Sequence, residues 1–258
     1  MPDFLAKLID DARKRVREGY YDVKERAAHQ PISLKRAIKS AERNAIIAEI
    51  KPASPSHGPL RLQLDPVKGA ERLVDGGAIA LSVLTEPDNF GGSLANLRKV
   101  RNVVDLPLLM KDIIIHERQI EAARNTGADC VLLIEPIFSK YPISSLARMI
   151  RYAHESNLEV LLEAHREDEL TRALNSEADI VGVNNRDLST LETNLEVTIH
   201  LMAKAREHGG KVMISESGFE SAEDIRRVKP TRVDGFLIGS SIMLAYDWES
   251  KVREFVLA

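Results

Sequence analysis

Residues 123–136 read "ARNTGADCVLLIEP". A run with helical character closes on Asn-Thr-Gly, and Gly is the residue that most easily takes the left-handed turn at a helix exit. The apolar run that follows stops at a glutamate and a proline. It is short for a buried helix and lacks polar alternation, so it reads as a strand covered on both faces, the habit of a parallel sheet.

The unit repeats. Short apolar runs start at Ala45 ("AIIAEI"), Ala78 ("AIALSVL"), Leu106 ("LPLLMK"), Ala128 ("ADCVLLIE"), Leu158 ("LEVLLEA"), Ala178 ("ADIVGVN"), Lys211 ("KVMISES") and Val233 ("VDGFLIGS"). Successive starts lie about 20 to 35 residues apart, the length of a strand–loop–helix–loop unit. Between them lie amphipathic patterns such as "DPVKGAERLVDG", "HERQIEAARNTG" and "SAEDIRRV", the last opened by the capping-type pair Ser221 and Asp224. Eight such units predict an α/β fold, a closed (β/α)8 TIM barrel. An open doubly wound sheet has a similar rhythm, but the regular count and the lack of an early G-x-G-x-x-G favour the barrel. Residues 1–45 precede the first strand and are expected to form an N-terminal helical extension of one or two helices packed on the barrel. Nothing resembling a linker divides them from the rest, so residues 1–258 are expected to form a single domain.

The chain has 258 residues, 44% of them apolar and 29% charged, with a net charge of −3. That composition suits a globular fold and argues against nucleic-acid binding, so an anionic ligand needs locally placed cations. A single cysteine, Cys130, gives no disulfide framework and reads as a packed core thiol in a reducing compartment. The N-terminus has helical spacing rather than a signal-peptide run, and no 18-residue apolar segment spans a membrane. A cytoplasmic location is expected.

In a barrel of this kind, chemistry sits where the strands end. Side chains alternate along a strand, so Glu49 and Lys51 share one face while Ala48 and Ile50 take the other. With the small Ala48 packed outward, the charged pair points into the barrel mouth. The same parity sends Leu109 and Lys111 inward on the third strand, Glu163 on the fifth, and Gly182 and Asn184 on the sixth, with Arg186 just beyond. Lys and Glu are poor strand residues and costly to desolvate unless paired. Several of them converging on one mouth point to function rather than to a solvated rim.

The last two strands end differently, in "SESGF" and "FLIGSS". Ser217-Gly218 and Gly239-Ser240 each precede a short helix, where free backbone N–H groups, a hydroxyl and a side-chain-free approach suit an anion. These are the two loops that usually cradle phosphate in such barrels. A phosphorylated substrate is expected.

The segments "IIAEIKPASPSHG", "SVLTEPDNFGGS", "LPLLMKDIII", "LLEAH", "VGVNNRDL", "SESG" and "FLIGSS" together resemble indole-3-glycerol phosphate synthase, and the likeness runs through essentially the whole chain. The resemblance implies closure of the indole ring of 1-(2-carboxyphenylamino)-1-deoxyribulose 5-phosphate with release of CO2 and water, in tryptophan biosynthesis, without cofactor or metal and without an obligatory protein partner. Carried over residue by residue, it implies that Lys111 is the acid that protonates the ketone oxygen and Glu163 its acid/base partner in dehydration. Lys51 would pair with the substrate carboxylate and share the acid role, held by Glu49. Asn184 would bond the reacting sugar, Ser54 and Arg186 would shape the carboxylate end, and Ser217, Gly218, Gly239 and Ser240 would bind phosphate. Phe90, Leu109 and Leu132 would line the apolar anthranilate pocket.

Proton transfer from an ammonium works best when burial or a nearby cation brings its pKa toward neutrality. Lys51 and Lys111 are expected to lower one another, with Glu49 and Glu163 opposing. Two positions depart from the family pattern. Pro52 stands where a basic residue is common, and Glu135 closes the fourth strand, facing either the mouth or a salt bridge to one side. Among rival barrels, an isomerase with a Cys/Asp pair does not suit the mid-strand Cys130, and a two-carboxylate lyase leaves the lysines unexplained. A non-catalytic anion-binding barrel has no need of Lys111 and Glu163. The seven histidines show no metal-ligand spacing, and His57 and His165, near strand ends, read as surface residues.

Overall fold

The computed structural model describes residues 4–55, 58–60, 64–205 and 210–258. Ser56, His57 and His208 lie outside the described residues. Eight strands close into one parallel barrel: β1 (Ile46–Ile50), β2 (Ala80–Leu84), β3 (Leu108–Lys111), β4 (Cys130–Ile134), β5 (Glu159–Ala164), β6 (Ile180–Asn184), β7 (Val212–Glu216) and β8 (Gly235–Ile238). The ring closes at β1, where Ala48 stands opposite Ile238 on one side and Leu81 on the other. Every predicted apolar run contains one of these strands. As the stretch 123–136 predicts, the helix Glu117–Thr126 stops at Gly127, whose φ is 92°, and β4 begins three residues later.

Strand alternation separates two cores. Ile46, Ala48, Ile50, Leu108 and Met110 face outward and pack with the helices, while Ile47, Leu109, Cys130, Leu132, Leu161 and Ile214 fill the barrel interior. Each fully buried aliphatic side chain contributes about 1.5–3 kcal/mol. Cys130 is fully buried there, and burial pushes its thiol pKa up, as suits a packing residue rather than a nucleophile.

The N-terminal end is sealed by carboxylates that stand immediately before alternate strands. Asp129 accepts from Leu108 N at 2.8 Å, Asp179 from Val160 N at 2.9 Å, and Asp234 from Met213 N at 2.7 Å. Each thereby ties its own strand to the preceding one.

Among the described residues two helices precede β1, and they serve opposite ends. Helix α2 (Leu34–Lys39) sits below: Lys35 N donates to Glu159 at 2.9 Å, at the start of β5, and Leu34 and Ile38 join the interior core. Helix α1 (Phe4–Glu18) reaches the other rim. Its buried Arg15 pairs with Glu86 at 2.7 Å, just beyond β2, and Tyr21 donates to Asp112 beyond β3 at 3.0 Å. No helix among the described residues is long and apolar enough to cross a membrane.

Candidate active site

A cavity of about 650 Å³ opens at the C-terminal rim, well within the range of small-molecule sites. It is lined by strand ends, by Phe4 and Leu8 of α1, and by the loops after β1, β2, β6, β7 and β8. Glu49, Lys51, Ser54, Phe90, Lys111, Leu132, Glu163, Asn184, Arg186, Ser217, Gly218, Gly239 and Ser240 all border it. Leu109 does not. It lies two residues below Lys111, one layer deeper, and packs in the interior core. Glu135 is also turned away, because Arg172 grips both its oxygens at 2.6 and 3.1 Å.

Lys111 is the centre of the charge cluster. Its Nζ lies 3.0 Å from Glu216, 3.6 Å from Glu49 and 3.9 Å from Glu163. Lys51 Nζ sits 3.4 Å from the other oxygen of Glu49 and 6.0 Å above the centre of the Phe90 ring. The space for these carboxylates comes from two glycines. A Cβ on Gly182 would lie 1.9 Å from Glu216 Oε1, and one on Gly239 would lie 2.6 Å from Glu49 Oε1. Any larger residue at either position expels a carboxylate from the ring of charges.

The surroundings set the proton affinities in different directions. Burial disfavours the charge on Lys111, but Glu216, Glu49 and Glu163 outweigh it and hold its pKa above the usual value. That reverses the expectation of a lowered pKa, and the reason is a third carboxylate at the shortest distance. Burial lowers the pKa of Lys51, with Lys111 and Arg186 adding to the shift and Glu49 opposing it. For Glu49, burial would raise the pKa, yet Lys111 and Lys51 hold it below the usual range. Glu216 is pushed by burial up to about 7, with Glu163 and Glu49 adding to the rise and Lys111 opposing. Its Oε1 is buried without a hydrogen-bond partner among the described residues, so the carboxylate is poorly solvated.

Glu216 escaped the sequence reading, although the parity rule reaches it: Val212 and Ile214 point inward on β7, and the next inward position is 216. The Ser-Gly turn beside it is the stronger local signal. That turn is unusual in its own right. Ser217 has φ 68° and Gly218 φ 87°, and a left-handed serine next to a site is strain held in place by its neighbours. Asn185 supplies the hold, donating to Ser215 Oγ and to the Ser217 carbonyl, each at 3.0 Å. The two asparagines of "VGVNNRDL" thus divide their work, Asn184 facing the cavity and Asn185 bracing the loop after β7. Ser241 ties that loop to the one after β8 by donating to the Phe219 carbonyl at 2.7 Å. Helix Ser240–Leu244 starts at Gly239, with its first backbone N–H groups lacking helical partners by position.

The arrangement combines a cationic and acidic cluster with an apolar wall of Phe4, Leu8, Phe90 and Leu132 and the Ser-Gly turns that follow the last two strands. It suits an aromatic, phosphorylated substrate undergoing proton-assisted chemistry.

Comparison with known proteins agrees. Residues 5–255 match the family profile of indole-3-glycerol phosphate synthase. The indole-3-glycerol phosphate synthase of Carboxydothermus hydrogenoformans is 40% identical, over 99% of this chain and 100% of its own. Those of Methanocaldococcus jannaschii and Haloarcula marismortui are 41% and 40% identical, each over 97% of this chain and 91% of its own. Among solved structures, thiamine phosphate pyrophosphorylase from Pyrococcus furiosus superposes with a TM-score of 0.62 at 17% identity, over 86% of this chain and 96% of that one, a likeness of fold alone. The chain belongs to the indole-3-glycerol phosphate synthase family.

Proposed function

We propose that the rim cavity is where this chain closes the indole ring of 1-(2-carboxyphenylamino)-1-deoxyribulose 5-phosphate, with Lys111 leading the proton chemistry. Family membership gives the reaction class: a carboxy-lyase of tryptophan biosynthesis that acts on a phosphorylated substrate. The phosphate sits against Ser217, Gly218, Gly239 and Ser240, and the aromatic ring against Phe90 and Leu132. Ser54, Arg186 and Lys51 hold the carboxylate end, and Asn184 steadies the sugar.

Lys111 donates a proton to the ketone oxygen as the ring carbon attacks, and Glu163 takes the C–H proton during dehydration. Glu216 tunes Lys111. When a proton occupies Glu216, Lys111 loses its counter-charge at 3.0 Å and becomes a stronger acid. Glu49 holds Lys51, whose burial already makes it the stronger acid of the two and suits it to share the donor role. Placement of the ring carbon against the ketone supplies further acceleration by orientation. One observation carries the reading: in the cavity that the Ser-Gly loops border, Lys111 stands 3.6 Å from Glu49 and 3.9 Å from Glu163, with the fully buried Glu216 at 3.0 Å.

Both N-terminal helices join the barrel's cores, which supports reading residues 1–258 as one domain. A single, buried cysteine is in keeping with a cytoplasmic location. The test is direct: pure protein mixed with the anilino-deoxyribulose phosphate develops indole fluorescence, and inorganic phosphate competes with the substrate. Folded protein that gives no fluorescence overturns the assignment.

A further inference from the structure

Ring closure consumes a proton, and a second cavity reaches the site from behind. Attack of the ring carbon forms a C–C bond and places one proton on the ketone oxygen. The carboxylate leaves as neutral CO2, and its bonding pair restores the aromatic ring. The hydroxyl then departs as water with a second proton, while one C–H proton is given up as the indole double bond forms. Two protons are taken up and one is returned, so each turnover draws one from solvent. A substrate seated in the main cavity stands between the acid cluster and bulk water.

Behind Glu163 lies a cavity of about 60 Å³, bounded by Leu5, Ile134, Lys140, Glu163, His165 and Asp187 among others. It has room for one or two waters and the polar walls that water needs. Glu163, Ile134 and Leu188 border both cavities, so the Glu163 carboxyl stands at the partition between two apolar side chains. His165 Nδ1 lies 2.7 Å from the Asn184 carbonyl, a contact that assigns its N–H to Nδ1 and leaves Nε2 free to take a proton. Nε2 is 3.7 Å from Asp187 Oδ2, and the side chain is 22% exposed, in touch with solvent. The other charged groups around it are Arg166, 3.7 Å from Asp187, and Glu169, which accepts from His165 N at 2.9 Å and from Lys140 at 2.9 Å.

We infer that His165 is a proton-relay residue, taking a proton from solvent at Nε2 and passing it through water in the second cavity to Glu163. The inference rests on the reaction assigned above. It revises the reading of His165 as a surface residue.

The test is steady-state turnover in weak buffer over a range of substrate concentrations, with indole fluorescence and a pH indicator followed together. H165N keeps an amide N–H for the Asn184 carbonyl but cannot titrate. It is expected to form indole and take up its proton about tenfold more slowly than wild type near pH 7.5, with KM unchanged and the rate restored by added imidazole. H165A, which lacks the Asn184 contact as well, separates the two roles, because buffer rescues a lost proton path and not a displaced asparagine. Wild-type rates in H165N without imidazole overturn the relay, and so does a slowed rate that imidazole leaves unchanged. Absence of indole with the wild-type protein overturns the reaction assignment instead.

Discussion

Asp129, at the N-terminal end of the barrel, is met from every side: His29 Nε2 at 2.6 Å, Ile32 N at 2.7 Å, Leu108 N at 2.8 Å and Arg101 at 2.9 Å. Glu216, at the other end, is equally buried but has Lys111 at 3.0 Å on one oxygen and no partner among the described residues on the other. Both are buried carboxylates, but the surroundings differ. A carboxylate whose lone pairs are filled by backbone N–H groups and a fixed guanidinium is committed to holding strands together. One facing a glycine and an ammonium shared three ways keeps its proton affinity adjustable, which is what acid–base work requires.

The sharpest way to break this contrast is to remove the satisfied carboxylate. D129A strands the Arg101 charge and two backbone donors in the interior, and is expected to lower unfolding free energy by about 3–5 kcal/mol. Turnover per folded molecule should stay within about twofold of wild type. Denaturant unfolding with activity measured on the folded fraction checks both, and lost turnover in well-folded D129A would erase the distinction between the two ends.

The next effect is on pH dependence. Glu216 has its pKa raised from 4.5 to about 7, so the folded state favours its protonated form. Its contribution to stability is present in full below the unfolded value, 4.5, and is lost as pH rises through about 7. E216Q, which stays neutral, should therefore gain on wild type by about 3 kcal/mol between pH 4.5 and 7. A stability difference that stays flat across that window would show that Glu216 is not the poorly solvated group described. The smallest of these effects is expected at Lys51. K51M should lower kcat/KM about tenfold, by loss of the carboxylate partner. An unchanged kcat/KM in steady-state assays would remove Lys51 from the site.

Much of this contrast is legible in the sequence, for a physical reason. Strand alternation is a strict period of two, so the inward set Glu49, Lys51, Lys111, Glu163 and Asn184 follows once the strands are placed. The rule carries to Glu216 as well, but a Ser-Gly turn beside a strand end is a louder signal than one more charge. Depth is harder to read than direction. Leu109 points inward as expected, yet it belongs to the layer below the cavity, because parity gives a face and not a height. Glu135 depends on Arg172, 37 residues later, and no local pattern announces a partner that only the closed barrel brings near. Gly182 and Gly239 look like ordinary strand and turn glycines. Their reason, room for Glu216 and Glu49, exists only in three dimensions.

The proposed division of labour has the Lys111 cluster performing the chemistry and the opposite end only holding the barrel. Its most direct test is kcat for K111A, followed by indole fluorescence at saturating substrate on protein shown to be folded. A fall of about 10²-fold or more is expected, with substrate still bound; turnover near that of wild type would remove Lys111 from the chemistry.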